Sequence, residues 1–278
     1  CIVVVMGFLP TRCEQCSRSL GQHKRTLFAM SIPFALSLHP CDNGAMATTR
    51  RERLRATTIV EIKDAALDQI AREGAPSLSL RGVARSIGMS PAGLYRYYDG
   101  RDALLTDLLT DAYADLADAV EEAIASAGGS AADRFAAGVR RYRTWAVDDP
   151  HRFLLIFGTP IPGYAAPEDG PTVEANRRMG QAFLALAAEA IADGTLGVTS
   201  GRPPTTGEEA FAAEIAPHLA LPPEAIGALL GTWAHWHGLV ALEVTGQFDW
   251  IYAGDADAFF EGEIHRMIVA LGFVTTKQ

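Results

Sequence analysis

The chain has 278 residues, of which 49% are apolar and 21% are charged, and its formal net charge is −9. This length and composition exclude a disordered tail and a disulfide-stabilised miniprotein, because they allow a sizeable apolar core in one or two domains. No apolar run approaches the roughly 18 uninterrupted residues that a membrane-spanning helix requires. We therefore expect a soluble chain with no membrane partner.

The negative charge is distributed unevenly along the chain. Residues 1–45 carry +2, residues 46–101 carry +4 and residues 102–278 carry −15. A basic segment within an acidic protein indicates an electrostatic partner for that segment alone, most simply nucleic acid. The sequence therefore predicts a basic module at 46–101 followed by an acidic module at 102–278.

The first 45 residues differ in composition from the rest, since they contain all four cysteines, Cys1, Cys13, Cys16 and Cys41. Met46 directly precedes a convincing helix, so we expect 1–45 to be a disordered or non-native leader and Met46 to be the natural start. Two alternatives stay open. The C-x-x-C spacing of Cys13 and Cys16 fits half of a zinc knuckle, and the mostly apolar residues 27–38 loosely fit a signal peptide. We predict no metal and no cofactor, because Cys1 and Cys41 show no paired spacing.

Three helices are predicted in the basic module. Apolar residues recur at intervals of three and four over Arg50–Glu73, as on an amphipathic helix. Ser79 predicts the N-cap of a second helix, which Gly88 ends in a left-handed conformation. Ser90 predicts the N-cap of a third helix with Pro91 at its first position. Two short helices around a glycine turn have the layout of a helix-turn-helix.

The segment from Ser79 to Leu105, SLRGVARSIGMSPAGLYRYYDGRDALL, resembles the DNA-binding domain of the tetracycline-repressor (TetR) family. Val83-Ala84, Gly88, Leu94-Tyr95 and the helix start at Arg101 fall at that family's spacing. The resemblance covers about residues 50–110. It implies an all-α fold, in which an N-terminal three-helix helix-turn-helix domain precedes a helical ligand-binding and dimerisation domain.

The same resemblance implies two kinds of DNA contact. The phosphate anchors are Ser79, Ser90, Tyr95 and Arg101, near helix N-termini where backbone amides also attract anions. The candidates for reading base edges are Arg81, Arg96 and Tyr97. Pro91, Ala92 and Gly93 complete the predicted contact set at the start of the third helix, where each departs from the family's usual residue.

The acidic module predicts long helices and no β pattern of useful length. Apolar residues from Leu105 to Ile124 mark a long helix that joins the two modules and ends at Gly128-Gly129. Further helices are predicted over residues 132–147 and 172–193, and residues 151–157 are predicted to continue the core. Residues 194–207, rich in Gly, Thr and Pro, predict a mobile connection.

A later helix, Pro223–Val244, carries two neighbouring stripes of residues. The apolar stripe is Ile226, Leu230, Trp233, His237, Val240 and Val244, and the small-residue stripe is Gly227, Gly231, Ala234 and Gly238. Each interior glycine costs about 1 kcal/mol relative to alanine, so we expect compensation by a closely packed helix across a subunit interface. By resemblance, the last two long helices form a four-helix dimer interface, to which Ile264 and Ile268 contribute. The segment Trp233 to Gly238 also resembles the WHG-type C-terminal domain of one branch of the family.

Seven residues are candidates for an apolar effector cavity between helices: Tyr142, Trp145, Phe157, Met179, Phe183, Trp233 and His237. The alternative interpretation of each is an ordinary core residue that binds no effector. For His237 the alternative is a core histidine with a hydrogen-bond partner. His235 and His237 do not predict a metal site, because residues two apart on a helix point about 200° apart.

The resemblance implies a homodimeric transcriptional regulator, usually a repressor, that binds a pseudo-palindromic double-stranded DNA operator and is released by a small apolar effector. We expect it in the cytoplasm, because a DNA-reading module has no use outside the cell. Two alternatives are a helical enzyme and a small-molecule-binding protein without operator binding. No catalytic triad, phosphate-cradling loop or metal spacing supports the enzyme.

Overall fold

The computed structural model describes residues 49–167, 170–198, 201–215, 217–252 and 254–274. Within these ranges the chain forms eleven α-helices: α1 Arg50–Glu73, α2 Leu80–Ser86, α3 Pro91–Leu94, α4 Arg101–Ser126, α5 Ala131–Asp148, α6 Pro150–Phe157, α7 Pro171–Ala192, α8 Thr206–Ile215, α9 Pro223–Val244, α10 Asp249–Tyr252 and α11 Ala256–Leu271. The only β contact in the described residues is a single antiparallel bridge between Leu196 and Phe273. The predicted all-α fold is confirmed. The 1–45 leader, with its zinc and targeting alternatives, lies outside the described residues.

Local capping explains the ends of the first helices. Thr49 and Glu52 form a capping box at the start of α1. Gly74 ends α1 with φ of +81°, and Gly88 follows α2 with φ of +67°, a conformation that glycine adopts without steric cost. The hydroxyl oxygens of Ser79 and Ser90 accept hydrogen bonds from the third backbone N–H beyond each of them. The capping roles predicted for both serines are confirmed.

The basic module has its own apolar core and is fixed to α4 by polar contacts. The fully buried side chains of this core are Ile62, Ala66, Val83, Ala84 and Leu94, each 0% exposed. The Tyr98 hydroxyl donates to Asp107 at 2.6 Å, and Lys63 Nζ lies 2.9 Å from the same carboxylate and 2.6 Å from Asp111. These contacts attach both α1 and the segment after α3 to α4.

The acidic module is a bundle in which α4 packs against α5 and α7, while α9 and α11 pack on the other side of α5. The short helix α6 contacts α4 and α5 and also touches α1 of the DNA-binding module. None of the helices in the described ranges is both long and apolar enough to cross a membrane.

Helix α8 was not predicted from the sequence. Its first turn carries Glu208, which is only 8% exposed and forms an ion pair with Arg202. The backbone N–H of Thr205 donates to the same carboxylate at 2.7 Å. The ion pair and the backbone N–H together lower the pKa of Glu208 to about 2. Glu208 thus compensates for its burial through local partners, which a pattern of apolar residues does not reveal.

Candidate DNA-binding face and sensor core

The predicted phosphate anchors begin at the N-termini of α2 and α3. Ser79 is half-buried and Ser90 is exposed, and each uses its hydroxyl oxygen to accept a backbone N–H. The hydroxyl hydrogen of each serine can still donate to a phosphate oxygen. Tyr95, at the C-terminal end of α3, is 50% exposed. Ser90 and Tyr95 are therefore at the surface and Ser79 partly so, and the contact of the three hydroxyls with DNA stays a prediction.

The other predicted contact residues of α2 and α3 have different surroundings. Arg81, Pro91, Ala92 and Arg96 are exposed, whereas Gly93 is half-buried. A Cβ atom added to Gly93 would lie 3.0 Å from Cγ of Met89 and 3.2 Å from the Ser90 hydroxyl. The glycine therefore protects the cap of α3, a packing role that is independent of DNA.

Tyr97 is half-buried beneath an arginine of α1. The Arg55 guanidinium carbon lies 5.0 Å from the centre of the Tyr97 ring, a cation–π contact. This contact places the N-terminal half of α1 beside the segment that follows α3. The sequence did not indicate this contact, because Tyr97 is more than forty positions from Arg55 along the chain.

Arg101, predicted as a phosphate anchor, makes hydrogen bonds within the protein. Its guanidinium donates to the carbonyl oxygens of Leu78 at 3.1 Å and of Ala75 and Pro76 at 3.2 Å. These carbonyls belong to the turn between α1 and α2, so the side chain fixes this turn against the start of α4. A direct phosphate contact by Arg101 stays a prediction.

Gln69 is a second internal residue that sequence reasoning missed. It is 9% exposed and its amide binds both sides of the turn before α2, donating to the Ser77 carbonyl and accepting from the Ser79 N–H, each at 3.3 Å. A buried amide with these partners determines where the Ser79 hydroxyl lies. The signal in the sequence was a polar residue on the apolar face of α1.

In the acidic module, rings from three helices meet around His237. Its Nδ1 lies 2.7 Å from the Tyr142 hydroxyl, and its ring stacks on Trp233 at 4.9 Å between centroids. Phe157 and Phe153 of α6 lie 4.9 Å and 5.7 Å from the same ring. Burial lowers the pKa of His237 to about 4, so the imidazole is neutral at neutral pH.

This aromatic cluster continues through α9 to α7. The Trp236 ring lies 5.0 Å from Phe183 of α7 and 6.5 Å from Tyr142. Met179, also on α7, is 3% exposed. We call the group Tyr142, Phe153, Phe157, Phe183, Trp233, Trp236 and His237 the sensor cluster. It contains five of the seven predicted effector residues, and it adds Phe153 and Trp236, which the sequence did not single out.

Trp145 lies in a different polar environment. Its indole N–H donates to Asp115 of α4 at 2.9 Å, and Arg152 of α6 donates to the same carboxylate oxygen at 2.8 Å. The Tyr113 hydroxyl of α4 donates to the Ile156 carbonyl of α6 at 3.0 Å. These bonds join α4, α5 and α6, so Trp145 helps to hold these three helices together.

Three buried side-chain polar atoms have no hydrogen-bond partner among the described residues. They are Oδ1 of Asn176 on α7 and the indole nitrogens of Trp233 and Trp236 on α9. Trp233 is 6% exposed and Trp236 is 2% exposed. A buried polar group without a partner is costly, so such groups in a native protein require an explanation.

Two cavities in the described part of the chain lie away from the sensor cluster. One of about 180 Å³ lies between α9, α10 and α11, beside Phe248, Tyr252 and Phe259. The other, of about 440 Å³, is a groove between α9 and α11 beside Gly231 and Arg266. Neither cavity is lined by a residue that was predicted to bind the effector.

The predicted dimer interface requires a correction. Ile264 and Ile268 are 1% and 8% exposed within the single chain, so both pack into the subunit's own core and cannot form a contact surface. The apolar periodicity of α11 marks its inward face. Gly227 is also explained within the subunit, because a Cβ atom there would overlap the Glu208 carboxylate.

The other small residues of α9 have open surroundings. A Cβ atom on Gly231 or Gly238 would meet nothing within 4 Å, and Ala234 is exposed. Large apolar side chains lie on the same side of α9, where Leu230 is 44% and Leu242 is 42% exposed. Leu230, placed on the buried stripe by sequence, is therefore at the surface. On the outer side of α11, Gly262 and Ala270 are exposed with Val269, which is 56% exposed.

Comparison with known proteins identifies the family. Residues 62–108 match the family model described as bacterial regulatory proteins, tetR family, and residues 135–267 match the model described as tetracyclin repressor-like, C-terminal domain. The chain is 35% identical over 225 residues to the HTH-type transcriptional regulators Rv1816 of Mycobacterium tuberculosis and Mb1846 of Mycobacterium bovis, covering 80% of this chain and 95% of each relative.

Solved structures give the same result. The crystal structure of the regulatory protein SCO4313 is 38% identical, with a TM-score of 0.60 over 80% of this chain and 100% of that chain. A protein of unknown function from Rhodococcus sp. RHA1, 23% identical with a TM-score of 0.60 over 83% of this chain and 100% of its own, shares the fold. Together these matches show that the chain belongs to the TetR family of DNA-binding transcriptional regulators, and it is a regulator and not an enzyme.

Proposed function

We propose that this regulator is a homodimeric, cytoplasmic repressor that binds a pseudo-palindromic operator and is released by a small apolar effector. The observation that carries the proposal is the accessible helix-turn-helix, with the hydroxyls of Ser79 and Ser90 at helix N-termini and Tyr95 half exposed. Residues 46–101 carry +4 in a chain whose remaining acidic module carries −15. Two copies would present their basic modules to DNA while the acidic modules face away from it.

The homodimer uses the exposed side of α9 and α11. Gly231, Ala234 and Gly238 permit close approach of a partner helix, and Leu230 and Leu242 supply apolar surface beside them. The same surface on a second copy makes a two-fold, self-complementary contact of four helices. Contiguous apolar surface on two neighbouring helices is itself unfavourable in water, which supports its burial in a dimer.

Effector release uses α6 as the moving element. Phe153 and Phe157 of α6 face His237 in the sensor cluster, while α6 also contacts α1, α4 and α5. A ligand that separates these rings shifts α6 relative to α4, and α4 carries the DNA-binding module through Asp107 and Asp111. Ligand binding can shift the protein from the DNA-binding form to the DNA-incompetent form only if the DNA-incompetent form binds the ligand better.

DNA binding is tested with the duplex upstream of the coding region, measured by fluorescence anisotropy at salt concentrations between about 50 and 200 mM. We expect specific binding that weakens steeply with salt. Arg81→Ala should weaken specific binding by about 1–3 kcal/mol because a base contact is lost. Arg85→Ala, an exposed arginine on the same helix, is the matched control and should have little effect on specificity.

The alternative, a small-molecule-binding protein without operator binding, predicts equal affinity for the upstream duplex and a shuffled duplex. Equal binding by the wild type to both would reject the repressor.

If Arg81→Ala and Arg85→Ala lost the same affinity on both duplexes, Arg81 would be a phosphate contact and not a base reader. A Tyr95→Phe variant that retained full affinity would remove Tyr95 from the anchors.

The dimer is tested by sedimentation equilibrium. Ala234→Arg inserts a long charged side chain into the proposed contact and should shift the protein from dimer to monomer. Ala125→Arg, at an exposed position of α4, is the matched control and should remain dimeric. An Ala234→Arg protein with unchanged mass would place the interface on another surface.

A further inference from the structure

The sensor cluster contains hydrogen-bond donors and no fixed charge. The indole N–H groups of Trp233 and Trp236 have no partner in the described residues although both side chains are more than nine-tenths buried. An indole nitrogen can donate but cannot accept a hydrogen bond. Whatever relieves these two groups must therefore bring acceptor atoms.

The remaining polar pair of the cluster does not relieve them. The Tyr142 hydroxyl and His237 Nδ1 are 2.7 Å apart and satisfy each other. Burial is the one cause of the lowered His237 pKa, so no neighbouring carboxylate stabilises a charged imidazole. Burial is also the main cause that raises the pKa of Tyr142, which keeps its hydroxyl protonated. Both side chains are neutral at physiological pH.

Two arginines of the surrounding helices form ion pairs with carboxylates outside the cluster. Arg143 binds Glu243 and Asp257, with nitrogen–oxygen distances of 2.6 Å and 2.8 Å, and its guanidinium lies over Phe260. Arg152 binds Asp115 at 2.8 Å. An ionised ligand among the cluster rings would lose its hydration without gaining a counter-charge, which is strongly unfavourable.

We propose that the effector is an uncharged molecule with an apolar body and a carbonyl-type oxygen that accepts hydrogen bonds from the indole N–H groups of Trp233 and Trp236. This inference rests on the proposed ligand-responsive function and specifies the ligand. The apolar body enters between the α6 rings Phe153 and Phe157 and the α9 rings, so that the acceptor and the helix movement belong to one binding event.

The four tryptophans of the chain provide the test, because each indole N–H gives its own NMR signal. Trp145 already donates to Asp115, and Trp250 is 81% exposed, so these two serve as internal controls. The full-length protein, labelled with ¹⁵N in its tryptophans, is titrated with matched probes. There are three probe sets, built on a phenyl, a naphthyl or a nonyl group. Within each set the apolar body is the same, and it carries a methyl ketone, an ethyl group without oxygen or a carboxylate.

For at least one body, we expect the ketone to move the Trp233 and Trp236 signals downfield and to bind about tenfold more tightly than the ethyl compound, a gain within the net range for two hydrogen bonds. The carboxylate should bind more weakly than the ketone. Trp233→Phe and Trp236→Phe keep an aromatic ring but remove the N–H, and should reduce the preference for the ketone. Trp250→Phe is the matched control and should keep it.

Three results would overturn the inference. The first is that the ketone, the ethyl compound and the carboxylate bind equally well. The second is that the carboxylate binds more tightly than the ketone. The third is that the Trp233 and Trp236 signals do not move with any of the three apolar bodies. The anisotropy assay on the upstream duplex reports DNA binding independently. Loss of operator specificity there would reject the proposed repressor without affecting the ketone preference, so the two failures are distinguishable.

Discussion

The Tyr142 hydroxyl of α5 lies 2.7 Å from Nδ1 of His237 on α9, and this bond lies among aromatic rings from three helices. It joins two helices of the acidic module through neutral partners. Because burial lowers the pKa of His237 to about 4, we expect this pair to be sensitive to acid.

The stability of the protein should fall in acid because of His237. Its pKa is about 4 when folded and about 6.5 when unfolded. Between these values the unfolded chain binds a proton that the folded protein excludes, so stability is fully present above about pH 6.5 and decreases as the pH falls towards 4. We expect His237 to contribute a loss of about 2 kcal/mol at about pH 5.

Urea unfolding of the wild type and of His237→Phe at about pH 7.5 and about pH 5 measures this contribution. The variant will be less stable at the higher pH, since Tyr142 loses its partner, but its decrease in acid should be shallower. His151→Phe, at an exposed position of α6, controls for removal of a histidine. Parallel decreases in the wild type and in His237→Phe would contradict the assignment.

Arg101→Ala should destabilise the protein by about 1–3 kcal/mol, because three carbonyl oxygens of the turn before α2 lose a charged donor. In Arg101→Lys, less than half of the lost stability should be restored, since one ammonium group cannot donate to the three carbonyl oxygens in the way that the planar guanidinium does. Thermal unfolding measures the effect, with Arg85→Ala as the exposed control. Unchanged stability together with weaker DNA binding would instead make Arg101 a phosphate contact.

The two glycines Gly227 and Gly231 should respond differently to alanine. At Gly227 the added Cβ would overlap the Glu208 carboxylate, so we expect Gly227→Ala to lose about 1–3 kcal/mol by disturbing the contact between α8 and α9. At Gly231 the surroundings are open, so alanine should preserve subunit folding and any loss should be in dimer affinity. Thermal unfolding and sedimentation of both variants separate these effects, and equal destabilisation of the subunit by the two would refute the difference.

The ion pairs of Lys63 should couple the DNA-binding module to α4. Hydrogen bonds to Asp111 and Asp107 raise the pKa of Lys63 although burial opposes them. In a double-mutant cycle with Lys63→Met and Asp111→Asn, we expect a coupling energy of about 0.5–2 kcal/mol. A coupling energy of zero would show that these contacts do not stabilise the attachment of the DNA-binding module to α4.

The pair Arg134 and Glu189 is the reference for that cycle. It joins two helices of the acidic module at 3.0 Å, but its side chains are more exposed, at 32% and 62%, than that of Lys63 at 17%. We expect a coupling energy below about 0.5 kcal/mol, as is usual for exposed ion pairs. Urea unfolding of each set of four proteins gives both values.

Much of the fold follows from local sequence signals. Helix boundaries were predictable where a cap marks them, as at Ser79 and Ser90, because capping depends on neighbouring residues. The TetR family was identifiable from the contiguous segment 79–105 for the same reason. Helix α8 escaped prediction because its stability depends on the Arg202–Glu208 ion pair and on contact with α9.

The sequence alone determined the charge division, the caps and the family of the DNA-binding domain, all of which depend on residues close together in the chain. The tertiary structure decided which side of each helix faces inward. Periodicity shows that α11 has an apolar face, but only packing shows that Ile264 lies in the subunit's own core. The inward turn of Arg101 and the unpartnered indole groups of Trp233 and Trp236 were likewise decided by contacts between distant segments, whose energies no local pattern contains.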